Sequence, residues 1–224
     1  MRRLPTPSTA AVIFRERVRL AERYAVLLGT AGLERGLIGP GEVPRIWERH
    51  ILNCAVVHPA MPNSCSIADV GSGAGLPGVV LAIARPDLSV TLVEPMRRRH
   101  DFLVEVIADL GLPNVSVRRA RAETLAGEVM VDVVTARAVA PLERLARWSL
   151  PLLTAGGRLV ALKGRAVADE LAEATPALRD MGAVSWQIAE YGSSIVEPPT
   201  RVVIIEVGER VGQAVPRRRM KGRR

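Results

Sequence analysis

The feature that most narrows what this chain can fold into is a ten-residue run, Asp69-Val70-Gly71-Ser72-Gly73-Ala74-Gly75-Leu76-Pro77-Gly78. The segment leading into it, Ile67-Ala68-Asp69-Val70, reads as a short buried strand. The alternating glycines Gly71, Gly73 and Gly75 allow positive φ and let a ligand come closer to the backbone than any Cβ would permit. Pro77 suits the first position of a helix, whose free N–H groups then face whatever lies over the loop. Glu94, twenty-three residues beyond Gly71, closes the next expected strand. A carboxylate at that place accepts hydrogen bonds from the ribose hydroxyls of an adenosine. A glycine run alone also fits a purely structural turn. Its combination with strand, helix start and acidic strand end favours a bound ligand.

From Cys65 onward short apolar runs alternate with amphipathic stretches, the pattern of βαβ units and a parallel sheet. Strands are expected at Ser66–Val70, Ser89–Glu94, Val115–Arg118, Val131–Thr135, Arg158–Leu162, Val184–Glu190 and Arg201–Val207. Helices are expected at Pro77–Ala84, Arg98–Leu110, Leu142–Leu153 and Ala166–Ala177. Only Gly-, Ser- and Pro-rich residues 191–200 separate the last two strands, so these should form an antiparallel hairpin at a sheet edge. The fold class expected is α/β: a Rossmann-like, seven-stranded, mostly parallel sheet with an antiparallel edge hairpin, the layout of class I S-adenosylmethionine-dependent methyltransferases. NAD is the rival ligand, but its sites usually carry G-x-G-x-x-G, and no segment after Gly156 is large enough for a substrate domain. Upstream, residues 8–59 read as helical: one helix capped by Ser8 or Thr9, a glycine-rich break from Gly29 to Gly41, and a second helix over roughly Val43–Val57 that Pro59 stops. The expected division is an N-terminal helical extension (1–62), the nucleotide-binding domain (63–210) and a basic tail (211–224).

The net charge is +8, and part of it is concentrated in Arg97-Arg98-Arg99-His100 and in the tail from Arg217, Arg218 and Arg219 to Arg224. Such density draws polyanions, nucleic acid foremost, although a solvated tail that only keeps the chain soluble fits the same residues. Aromatics make up 3%, too few for a base-stacking platform, so a folded RNA or ribonucleoprotein held by charge and shape is the better match. Cys54 and Cys65 form no C-x-x-C pair, no apolar run is long enough to span a membrane, and no signal-peptide core follows Met1. The expectation is a cytoplasmic protein, away from membranes and monomeric.

The loop with its Leu76-Pro77-Gly78 ending resembles the signature of the ribosomal RNA small-subunit methyltransferase G family, also called glucose-inhibited division protein B. Further segments match in order: Arg49-His50-Ile51-Leu52-Asn53, Arg121-Ala122-Glu123, Thr135-Ala136-Arg137-Ala138 and Leu162-Lys163-Gly164. The resemblance runs from about Arg45 to Val207. It departs upstream, where the family's Trp-Asn-x-x-x-Asn-Leu-Thr segment has no counterpart, and at Asn53, where an Asp is usual. The resemblance implies N7 methylation of one guanine in 16S ribosomal RNA near the decoding region, with S-adenosyl-L-methionine as cofactor and the small ribosomal subunit or its RNA as partner. It assigns Gly71, Leu76, Ala122, Glu123 and Arg137 to the cofactor, beside Gly73, Gly75 and Glu94 from the loop argument.

The chemistry asks little of an acid or base. A sulfonium methyl is already electrophilic, so the enzyme must mainly align an in-line attack. Guanine N7 offers a lone pair and has no proton to lose, so no general base is assigned. Pyrimidine C5 methylation needs a cysteine after the fourth strand, and neither Cys54 nor Cys65 lies there. Exocyclic-amine methylation usually uses an Asn/Asp-Pro-Pro-aromatic segment, where this chain has Ala136-Arg137-Ala138-Val139-Ala140-Pro141. Ribose methylation stays open, as do a small-molecule or protein substrate and a non-catalytic nucleic-acid binder on the same fold. Arg137, at the end of the fourth strand, is the candidate positioning residue for a cofactor carboxylate or the target, with a surface ion pair as the plain alternative. Ala122 and Glu123 are expected to end the third strand and read the adenine edge. Arg49, His50, Arg97, Arg98, Lys163 and the tail arginines are the candidate RNA contacts; Arg97-Arg98-Arg99 opens a helix, where its dipole disfavours cations, so an external anion is expected. His50, Cys54 and His58 have metal-ligand spacing on a helix but lack a fourth ligand, and no metal is assigned.

Overall fold

A computed structural model describes residues 5–208. Its centre is a seven-stranded sheet: β1 (Ser66–Val70), β2 (Ser89–Val93), β3 (Val115–Arg118), β4 (Val131–Arg137), β5 (Leu153–Lys163), β6 (Ala183–Tyr191) and β7 (Thr200–Val207), in the order β3-β2-β1-β4-β5-β7-β6. The first five strands are parallel, and β7 lies antiparallel between β5 and β6. Chain order reverses between β1 and β4, which places the switch point, and the crevice where ligands bind such sheets, at the carboxyl ends of these two strands.

Seven α-helices accompany the sheet among the described residues: α1 (Ser8–Phe14), α2 (Val18–Leu27), the single turn α3 (Asn53–Ala55), α4 (Gly78–Ala84), α5 (Arg97–Leu110), α6 (Leu142–Ser149) and α7 (Val167–Asp180). Helix α6 shows how pattern becomes packing: Leu142, Leu145, Ala146 and Ser149 recur at helical spacing and are its buried face. Helix α5 likewise buries Phe102, Leu103, Val106 and Leu110 and stops at Gly111, whose left-handed φ of 59° a side chain would resist. Helix α4 is different. From Gly78 to Ile83 every residue is buried, so it has no wet face. A helix apolar on all sides must be covered on all sides, and the cover is the N-terminal segment: α1, α2 and α3 all pack on α4.

The extension therefore shares one core with the sheet. Phe14, Tyr24, Leu28 and Ile51 join Val79, Leu81 and Leu103 on one face, while α6 and α7 close a second core on the other. Each such aliphatic or aromatic side chain contributes roughly 1.5–3 kcal/mol on burial, far more than the exposed Arg23–Asp109 pair (2.6 Å) linking α2 to α5. Arg85, just after α4, closes the junction by donating to the carbonyls of His58, Met61 and Pro62 and to Asp87, whose carboxyl its guanidinium holds well below the usual range.

Several expectations need correction. Helix α1 starts at Ser8 without a side-chain cap; the Pro7 carbonyl accepts from Ala10 N–H instead. Gly29 does not break its helix, which continues as a widened π-type turn (Leu28–Gly32) and ends near Gly36, where φ is 64°. The second helix is not regular: a 3-10 stretch, Pro40–Arg45, leads into a π-type turn, Ile46–Leu52, then α3. Strand β5 also begins earlier, at Leu153, which already pairs with Val131; residues 154–157 then form an irregularity beside Asp132 in which Gly156 takes a φ of 71°.

The Tyr24 hydroxyl donates to the carbonyl of Ala74 at 2.7 Å inside this core. Tyr24→Phe keeps the ring but leaves that carbonyl without its partner, which should cost about 1–3 kcal/mol by thermal or urea unfolding. An unchanged midpoint would show that the bond contributes nothing.

Candidate functional site

The glycine loop leaves β1 at the switch point. Gly71 and Ser72 donate backbone N–H bonds to the Val93 carbonyl at 2.9 and 3.2 Å, tying the loop to β2. The glycines differ in what they are for. A Cβ on Gly71 would lie 2.9 Å from Val139, one on Gly75 2.6 Å from Val79 and 2.9 Å from the Tyr24 hydroxyl, and one on Gly78 2.4 Å from Leu92. Those three are required by the protein's own packing. Gly73, at φ 58°, would meet only the Gly71 carbonyl at 3.8 Å, so its missing side chain leaves free the space above the loop.

Two carboxylates brace the loop. Glu94, 1% exposed, accepts from Gly73 N–H at 3.0 Å and from Met96 N–H at 2.9 Å, with Arg99 3.9 Å away. The carboxylate expected at a ribose is thus also the one that holds the loop backbone. Asp69 is fully buried; one oxygen accepts from Gly78 N–H at 3.0 Å and the other has no partner within the protein. Burial pushes its carboxyl up to about 7, against the opposing pull of the Gly78 and Ser72 hydrogen bonds and of Arg137.

Above the loop lies a cavity of about 270 Å³ whose walls include Gly71, Gly73, Leu76, Ile38, Arg99 and Arg137. A larger cavity of about 1340 Å³ opens across the ends of β4 and β5, bounded among others by Arg49, Asn53, Lys163, Arg165 and the 195–201 segment. Arg137, His50 and Ala138 line both. Arg137 is the last residue of β4, paired with Leu162. Its guanidinium donates to the Arg49 carbonyl at 2.9 Å and to His50 Nδ1 at 2.6 Å, so it is no surface ion pair. His50 Nε2 in turn lies 2.9 Å from Glu42, which also pairs with Arg45 and Arg49.

The other predicted residues fall in different places. Strand β3 stops at Arg118, so Ala122 and Glu123 do not end a strand; they open a 3-10 turn, Ala122–Leu125, and line neither cavity. Lys163 borders the larger cavity, but its side chain is 8% exposed and its ammonium donates to Glu170 (2.7 Å) and the Ala140 carbonyl (2.9 Å). It braces the wall and is not a free cation. The arginines opening α5 have protein partners: Arg97 lies 3.6 Å from Asp101, Arg98 donates to the Arg35 carbonyl, and Arg99 faces Glu94. Arg97 and Arg49 remain largely exposed. Arg217, Arg218 and Arg219 lie outside the described residues. His50 turns to Glu42 and Arg137 while Cys54 is fully buried, its thiol pushed up to about 11 by burial. Ile38 and Glu42, which line the loop cavity, and Tyr24, which braces the loop from the core, are residues that sequence reasoning did not single out; the signal for them was the wholly apolar α4, which demands a covering segment.

Three variants test this geometry. Gly73→Ala should stay folded, losing roughly the 1–2 kcal/mol of a left-handed non-glycine residue, yet weaken binding of S-adenosylmethionine at least about tenfold in calorimetric titration. Gly75→Ala should instead destabilise the fold; equal cofactor affinity in Gly73→Ala and the wild type would remove the loop from the binding site. Asp69 titrates near 7 when folded against about 3.9 unfolded. Stability from its protonated form is complete below the unfolded value and is lost as pH rises through the folded one. Asp69→Asn should therefore gain in melting temperature over the wild type, without cofactor, increasingly from pH 5 to 8; a gap independent of pH contradicts this.

Comparison with known proteins matches this arrangement to one group. The family model described as rRNA small subunit methyltransferase G (GidB) matches residues 17–195. A protein of Streptomyces avermitilis named ribosomal RNA small subunit methyltransferase G is 52% identical over 209 residues, covering 93% of this chain and 88% of that protein. Its namesake in Streptomyces coelicolor is 53% identical, covering 93% and 87%. Among solved structures, an S-adenosylmethionine-dependent O-methyltransferase of Thermotoga maritima shares the fold with a TM-score of 0.59 at 15% identity, over 77% of this chain and 72% of that one. With most of its length matched by the family model, and with relatives above half identity, the chain belongs to the rRNA small subunit methyltransferase G family.

Proposed function

We propose that this protein transfers the methyl group of S-adenosylmethionine to N7 of one guanine in 16S ribosomal RNA. The observation that carries the reading is the wall common to the two cavities, with Arg137 at its centre. One cavity is floored by the glycine loop, and the residues there fit the cofactor: Gly73 leaves room where a Cβ would intrude, in a cavity that Gly71, Leu76 and Arg137 also line. The other is wide, bordered by Arg49, Arg165 and Arg201, and suits a nucleotide with its phosphates.

When bound, the cofactor supplies a methyl on a positively charged sulfur. The protein's part is alignment. Arg137, held by the Arg49 carbonyl and His50, presents its remaining donors toward the acceptor base and orients it. No proton need be removed from guanine N7, and the wall requires no base. Gly71, Gly73, Leu76 and Glu94 serve the cofactor, with Gly75 and Asp69 supporting the loop. Arg49 and Arg97 are the exposed cations placed to meet RNA phosphate.

We place the enzyme in the cytoplasm, acting as a monomer on the small subunit or its RNA. Among the described residues no helix is long and apolar enough to cross a membrane. Incubating the protein with radiolabelled S-adenosylmethionine and small subunits from cells lacking this gene, then mapping label by nuclease digestion and borohydride–aniline cleavage, tests the reading. Label at N7 of a single guanine is the expected result; label only on another RNA position or on small molecules overturns it. Arg137→Ala should lower transfer at saturating cofactor about a hundredfold with the fold intact by circular dichroism. Near-normal transfer would remove Arg137 from the site.

A further inference from the structure

The contact between Arg137 and His50 constrains the chemistry of both. A guanidinium has five donors and no acceptor. At 2.6 Å from an arginine nitrogen, His50 Nδ1 must therefore be the accepting, unprotonated nitrogen of the ring. The ring's proton then sits on Nε2, which points at Glu42 at 2.9 Å, a carboxylate that can only accept. Both contacts are satisfied together by one state of the ring, the neutral Nε2–H tautomer. A proton on Nδ1 would set two donors against each other.

The surroundings favour that neutral state. The His50 side chain is 13% exposed. Burial first, and then Arg137 on β4 and Arg49 on its own turn, pull the imidazole below its ordinary value, against the opposing pull of Glu42 from the 3-10 stretch. Glu42 is itself held by Arg45 and Arg49. The backbone places the ring there by an irregularity: the π-type turn Ile46–Leu52 puts the Arg49 carbonyl and the His50 ring on the same guanidinium. A regular helix presents its carbonyls along its own axis, where the next turn takes them up.

We propose that His50, fixed as the Nε2–H tautomer by Glu42, is a positioning residue for methyl transfer: it accepts one hydrogen bond from Arg137 and so aims the guanidinium across the boundary of the two cavities. This rests on the reading that Arg137 orients the acceptor. It gives the N-terminal extension a task in the reaction beyond covering α4. It also makes alignment depend on pH. Protonating His50 turns an acceptor into a donor facing a cation, and Arg137 keeps only the Arg49 carbonyl of its two anchors.

Two isosteres separate the halves of the ring. Asn places its amide oxygen near the Nδ1 position, and Gln places its amide near Nε2. His50→Asn should keep the acceptor for Arg137 and retain kcat within about threefold, whereas His50→Gln and His50→Ala should lower kcat, read at saturating cofactor, at least about tenfold. The wild-type kcat should fall on the acid side as the ring protonates, with an apparent pKa below about 6.5, and His50→Asn should lack that limb. Spectra of the 15N-histidine-labelled enzyme should show His50 as the neutral Nε2–H form at pH 7.5. Equal kcat and the same acid limb in wild type, His50→Gln and His50→Asn, with Arg137→Ala impaired, would overturn this proposal alone; a fully active Arg137→Ala would overturn the reading beneath it. An Nδ1–H ring in the spectra would overturn it as well.

Discussion

Helix α4 has no polar face, and this constraint organises the rest of the molecule. From Gly78 to Ile83 it is buried on every side, between the sheet on one face and the N-terminal helices on the other. Once those helices are drawn onto it by apolar burial, their other features arrive with them. The Tyr24 hydroxyl reaches the Ala74 carbonyl in the glycine loop, and Glu42 and His50 come within hydrogen-bond distance of each other, with His50 also meeting Arg137. The N-terminal extension thus supplies one wall of the ligand cavity.

Three carboxylates beneath that wall gather the donors of the loops and strand ends around it. Asp69 receives Gly78 N–H, Glu94 receives Gly73 and Met96 N–H, and Glu170 receives Lys163 and Leu142 N–H. These carboxylates hold loops and strand ends in place. A site built this way relies on shape and fixed dipoles for alignment, which suits a reaction whose electrophile is already charged and whose nucleophile has no proton to lose.

Much of this was legible in the sequence because it is local. Seven apolar runs of strand length marked the sheet, and the shortage of residues between the last two marked the antiparallel edge. Arg137 was legible because a strand end at a switch point has few places to send its side chain. What was not legible is where local periodicity departs from 3.6 residues or where partners lie far apart. The widened turns Leu28–Gly32 and Ile46–Leu52 read as a break and a regular helix, since an apolar pattern carries no mark of one extra residue per turn. Lys163 looked like a free cation because Glu170 lies on the next helix. Arg98 looked unsatisfied because its acceptor is a backbone carbonyl sixty-three positions away. Ala122 and Glu123 were placed on a strand that had already ended at Arg118.

If cofactor and target base meet at the wall formed by Arg137 and His50, a structure of the protein on the small subunit with S-adenosylhomocysteine bound is the most direct test. The cofactor product should lie over Gly73, with a guanine in the larger cavity and its N7 facing the sulfur. The Arg137 guanidinium should touch that guanine while His50 Nδ1 still accepts from it. A guanine that approaches from another side of the sheet, with Arg137 apart from both ligands, would contradict this arrangement.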